Sequence, residues 1–79
     1  MENFNNKSAE TPIIEDITGL LVINYAITSI SIDNQGDFDG TVNGKPLRAG
    51  RQMNFAGAYK ANTFSLNATG TIFTITINK

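Results

Sequence analysis

Two alternating stretches near the C-terminus constrain this chain more than anything else in it. Over residues 62–68 and 71–77 large apolar and small polar side chains take turns, which is the period of a half-buried strand. Thr69-Gly70 separates them. A two-residue turn there sets Ala68 across from Thr71, Leu66 from Phe73 and Phe64 from Ile75, so the large apolar residues share one face. The other face carries Thr63, Ser65, Asn67, Ile72, Thr74 and Thr76, suited to solvent or to a polar subunit contact. The expectation is a C-terminal β-hairpin.

A second hairpin is written at Asn43-Gly44, the strongest short-range signal of a two-residue turn. It pairs Val42 with Lys45 and, further out, Asp39 with Arg48. Pro46 has no N–H to give a ladder, so its strand belongs at a sheet edge. Met53 and Phe55 share a face of the next strand, and residues 56–61 read as a small-residue loop around Tyr59. Upstream, residues 17–32 are dense in β-branched side chains and read as strand. A helix over residues 15–26 competes, because Leu20, Ile23 and Ile27 fall at helical spacing. Parity favours strand: Ile23, Tyr25 and Ile27 share one phase, Ile30 and Ile32 the other. The change near Thr28-Ser29 predicts a bulge, or two shorter strands.

Residues 1–16 are polar, contain Pro12 and hold few apolar side chains to offset the entropy of ordering them, so they read as a flexible N-terminal arm. Phe4 and Ile13-Ile14 are its candidate anchors on a neighbour. Residues 17–79 then form a single β domain, an all-β small antiparallel sandwich or open barrel. Its expected core is Leu21, Ile23, Tyr25, Ile27, Phe38, Phe55, Phe64, Leu66, Phe73, Ile75 and Ile77. A chain of 79 residues is marginal alone. With no Cys and no His, neither a disulfide nor a zinc site can staple it. Association with other subunits is the remaining device, and a homo-oligomer is expected.

Charge and motif readings narrow the chemistry. The net charge of −1 argues against nucleic-acid binding, which needs clustered Lys and Arg. Residues 1–40 hold one base against seven acids, and residues 41–79 hold five bases and no acid. Two such halves attract within one fold or across a subunit boundary. No apolar run is long enough to span a bilayer, and the N-terminus has no basic run followed by an apolar core, so no signal peptide is expected. Without His or Cys, and with no motif around any Ser or Thr, no catalytic nucleophile stands out. The carboxylate pairs Glu15-Asp16 and Asp37 with Asp39 read as solvated charges, and the chain is expected not to be an enzyme and to hold no cofactor.

Asp33, Asn34, Asp37 and Asp39 around Gly36 form a loose version of a calcium loop. The spacing departs from the EF-hand, with Gln35 at the third position and no closing Glu, and an ordinary inter-strand turn explains the residues better. Asn6-Lys7-Ser8 and Asn67-Ala68-Thr69 match the glycosylation sequon, which matters only in a secretory setting. Of the aromatic residues only Tyr59 sits in an expected loop, where local packing accounts for it and a ligand contact is the alternative.

Residues 40–50 (Gly-Thr-Val-Asn-Gly-Lys-Pro-Leu-Arg-Ala-Gly), then Met53-Asn54-Phe55, then residues 67–75 (Asn-Ala-Thr-Gly-Thr-Ile-Phe-Thr-Ile) carry a resemblance. They resemble short β-modules of bacteriophage virions across about half the chain. The resemblance implies a multicopy structural protein located in the virion: a capsid-associated, vertex, decoration or fibre component whose partners are other copies and other virion proteins. It carries over no site residue. The rival reading is a cell-surface or secreted module for a carbohydrate or protein ligand, using Tyr59 or residues 33–39. An accessory subunit inside the cell is a third.

Overall fold

Residues 11–79 are described by a computed structural model, and every regular element among them is a β-strand. In chain order these are β1 (Ile13–Ile17), β2 (Leu20–Val22), β3 (Ile27–Asn34), β4 (Gly40–Val42), β5 (Lys45–Leu47), β6 (Gln52–Tyr59), β7 (Ser65–Asn67) and β8 (Phe73–Asn78). They build two four-stranded antiparallel sheets, ordered β1-β8-β3-β6 and β2-β7-β4-β5. The fold is all-β as expected, and of the two forms expected, sandwich or open barrel, it is the sandwich.

One turn organises this arrangement. Asn43 and Gly44 both take positive φ, 52° and 82°, the type I′ geometry whose twist matches that of flanking strands. Val42 pairs with Lys45 as expected, and the ladder ends at Gly40 and Leu47. From that tip outward each early strand pairs with its mirror image in the late half: β4 with β5, β3 with β6, β2 with β7, β1 with β8. The chain is one long hairpin whose double ribbon passes repeatedly between the sheets. Pairing of β3 with β8 and of β4 with β7 then completes each sheet. Eight strands in this order make a jelly roll.

The ribbon's crossings correct several expectations. Thr69-Gly70 is a turn, with the Thr71 N–H donating to the Ala68 carbonyl at 3.0 Å. Positive φ falls only on Gly70, at 84°, as in a type II turn, which splays the flanking strands instead of pairing them. Asn67 Oδ1 accepts the Thr69 N–H at 3.0 Å and helps turn the chain. The expected hairpin is therefore absent: β7 lies in one sheet and β8 in the other. Its apolar face survives because the two inner faces meet. Phe64, Leu66, Ala68, Thr71, Phe73, Ile75 and Ile77 are all buried.

Residues 13–16, expected to end an arm, form most of β1; residues 1–10 of that arm, with Phe4, lie outside the described residues. The bulge expected near Thr28-Ser29 is present, while the division of residues 17–32 into separate strands falls earlier than expected. Residues 23–26 carry the chain from β2 in one sheet to β3 in the other, and the β3–β6 register shifts between Ile27 and Ser29. Residues 56–59, expected as loop, belong to β6. Pro46 sits on an edge strand, as expected.

Among the described residues twelve hydrophobic side chains are buried, including Ile23, Ile27, Ile30, Ile32, Val42 and Leu47 beside the C-terminal set, and Leu21, Tyr25, Phe55 and Tyr59 pack partly against them. Phe38 is the error in the expected core. It is 66% exposed, in the crossing between β3 and β4.

Candidate functional site

The crossing that follows β3 brings together most of the residues singled out for chemistry, and Asn34 is its centre. Asn34 continues the inward parity of Ile30 and Ile32, so its side chain enters the core at the last position of β3. There its Nδ2 amide donates to the carbonyls of Phe38, at 2.8 Å, and Leu47, at 2.9 Å. Its Oδ1 accepts from the Gly36 N–H at 3.1 Å and from the Thr71 hydroxyl at 2.7 Å. Both donors and both lone pairs of the amide are thereby used. Its main chain is held as well: the Asn34 N–H donates to Arg51 and the Gly50 N–H donates to Asn34, each at 2.9 Å. Asn34 thus pins the 35–39 crossing, the end of β5, the 48–51 crossing and the turn before β8 at one end of the sandwich.

Gly36 is required by the same closeness. A Cβ there would stand 2.1 Å from Thr71 Oγ1 and 2.7 Å from the main-chain nitrogen of Ile72. The Gln35 N–H donates to the Ile72 carbonyl at 2.8 Å beside it. With Asn34 Oδ1 turned inward onto two donors, the candidate calcium loop loses a central ligand. Among the described residues no three acidic side chains converge on a point. What remains exposed here is Phe38, flanked by Asp37 and Asp39.

The other candidates are dispersed. Glu15 and Asp16 are consecutive on β1 and point to opposite faces; Asp16 accepts the Thr74 hydroxyl at 2.7 Å. Tyr59 is half-buried, stacks edge-on against Phe64 with centroids 5.1 Å apart, and donates its hydroxyl to the Ala56 carbonyl at 3.0 Å. That is local packing. Asn67 is half-buried with its carbonyl oxygen committed to Thr69, and Asn6 lies outside the described residues.

No cleft opens among the described residues. Neither a known family, nor a curated protein, nor a solved structure matches this chain. Function has to be argued from surfaces. Much of the outer face of the sheet built from β1, β8, β3 and β6 is amides and hydroxyls, with Ser31 donating to Asn54 at 2.7 Å, Gln52 to Ser31 at 2.9 Å and Asn78 to Ser29 at 2.9 Å, and Ile14 is exposed on its β1 edge. The smaller sheet exposes apolar side chains at its β2 edge: Leu20 is 77% and Val22 49% accessible. Charge patterning did not point to that edge, because residues 17–32 carry no charge at all. The signal was the parity of Leu20 and Val22, opposite to that of Leu21 and Ile23.

Proposed function

We propose that this protein is a non-enzymatic structural component of a bacteriophage virion, a multicopy capsid-associated, vertex, decoration or fibre protein that assembles by symmetric contacts between copies. The observation that carries the reading is the strand order. An eight-stranded jelly roll is an architecture that viral capsid domains use repeatedly. The link from architecture to role is an analogy of fold, since one fold hosts many functions. It is strengthened by the polar residues in the described core being spent on structure, with Asn34 and Thr71 bonded to each other. A jelly roll this short, without staples, also gains from neighbours.

A ligand-binding module is the second reading, and one observation favours it. Phe38 stands exposed between two carboxylates on a loop at one end of a fold that lectin domains also use. Light scattering across a concentration series, with and without calcium, separates the two. The structural reading expects a mass above that of one chain, reached by concentration and indifferent to calcium. A monomer at every concentration that binds calcium or a saccharide would transfer the assignment to the ligand-binding module.

A further inference from the structure

Four strands end the two sheets, and three of them carry a device against pairing with another strand. β1 holds Glu15 at the inward parity of Ile13 and Ile17, so a strand added there would bury a carboxylate. β5 holds Lys45 and Pro46, and Pro46 offers no N–H. β6 is bulged where Gly57 and Ala58 stand opposite Thr28. β2 has none of these. It is uncharged, has no Pro, and exposes Leu20 and Val22.

Among the described residues, the main chain of β2 is also open at alternate residues. The Gly19 carbonyl accepts from Ala68 and the Ile23 N–H donates to Phe64, at 2.7 and 3.0 Å. In an antiparallel pair, residues of one parity bond to the same neighbour. Gly19, Leu21 and Ile23 therefore bond toward β7, and Leu20 and Val22 turn their N–H and C=O groups to the open side. These are the same two residues whose apolar side chains are exposed.

We propose that the β2 edge is an interface with a second copy of this chain, the two β2 strands pairing antiparallel about a two-fold axis at Leu21. Leu20 then lies across from the second copy's Val22, and each such pair exchanges both main-chain hydrogen bonds. The apolar side chains of the two pairs meet on the outer face, and the two smaller sheets become one. Charge selects this edge for a self-contact: a two-fold pairing through β1 sets carboxylates against carboxylates, whereas β2 brings no charged side chain of its own to the axis. Area sets its strength. Three residues a side bury far less than the roughly 1,200 Å² of a stable standard interface. The contact is weak and reversible in isolation, and it becomes effective where copies are held close together.

This inference rests on the multicopy reading, and its test keeps the two apart. Amide hydrogen exchange by NMR is measured on the full chain from dilute to concentrated solution, for the wild type, Leu20→Lys and Val22→Pro. Leu20→Lys changes an exposed side chain on the outer face and Val22→Pro removes an N–H on the open side; neither removes the Leu21 N–H bonded to β7, so the Leu21 amide serves as the folded control. The expected result is that the Leu20 and Val22 amides of the wild type gain protection with concentration, and that in either variant the amide at position 20 loses this gain and the rise in mass disappears. Association that leaves those amides unprotected and ignores Leu20→Lys would overturn the β2 interface and leave the multicopy reading intact. Protection in a monomer at every dilution would show that the chain covers its own edge, and overturn it. No association at any concentration would overturn both.

Discussion

Asn34 shows how a single side chain can hold one end of a small sandwich. A buried polar group is tolerated when its bonds are made, and removing one member leaves the others stranded. Asn34→Ala would orphan the Phe38 and Leu47 carbonyls and the Thr71 hydroxyl. The expected loss is about 3 kcal/mol or more by urea denaturation, and Thr71→Val, which removes one donor, is expected to cost about 1 kcal/mol. Wild-type stability in Asn34→Ala would show that the bonds are dispensable. Phe73, fully buried at the start of β8, is expected to cost about 3 to 5 kcal/mol when cut to Ala; an unchanged thermal midpoint would contradict its place in the core. The residue scale is also where the sequence misleads. Asn34 and Phe38 exchange the roles that their chemistry suggests, because strand parity carries Asn34 inward and the crossing leaves Phe38 outside.

Turns decide the elements. Asn43-Gly44 and Thr69-Gly70 look alike in the sequence, each flanked by alternating residues, yet one closes a hairpin and the other sends the chain between sheets. The difference lies at the first central residue: Asn accepts positive φ, whereas the β-branched Thr69 keeps negative φ. That distinction was available in the residue types, and the alternation obscured it, since both inner faces of a sandwich show the same period. The bulge near Thr28-Ser29 and the edge position of Pro46 were legible because each follows from one local rule. Gly44→Ala, at φ 82°, is expected to cost roughly 1 to 2 kcal/mol. If the mirrored pairing grows from this tip, the loss appears mainly as slower folding in a chevron analysis. A loss confined to the unfolding limb would place the turn outside the folding nucleus.

At the scale of the molecule, the mirrored pairing sets strands of the acidic early half beside strands of the basic late half. Every early strand lies beside a late one, and Asn34 joins the 35–39 crossing, which carries Asp37 and Asp39, through its side chain to the 48–51 crossing, which carries Arg48 and Arg51, through its main chain. The class of fold was legible because period-2 patterning and turn residues dominate the sequence. The sheet partners were not, since a face is a local property and a partner is a long-range one. The free β2 edge, and the assembly argued from it, depend on β7 lying between β2 and β4 and not beside β8. Cross-strand Hα–Hα contacts by NMR test this most directly. The account predicts contacts between Val22 and Ser65 and between Leu20 and Asn67; the contacts that a β7–β8 hairpin requires, between Asn67 and Ile72 and between Ser65 and Thr74, would contradict it.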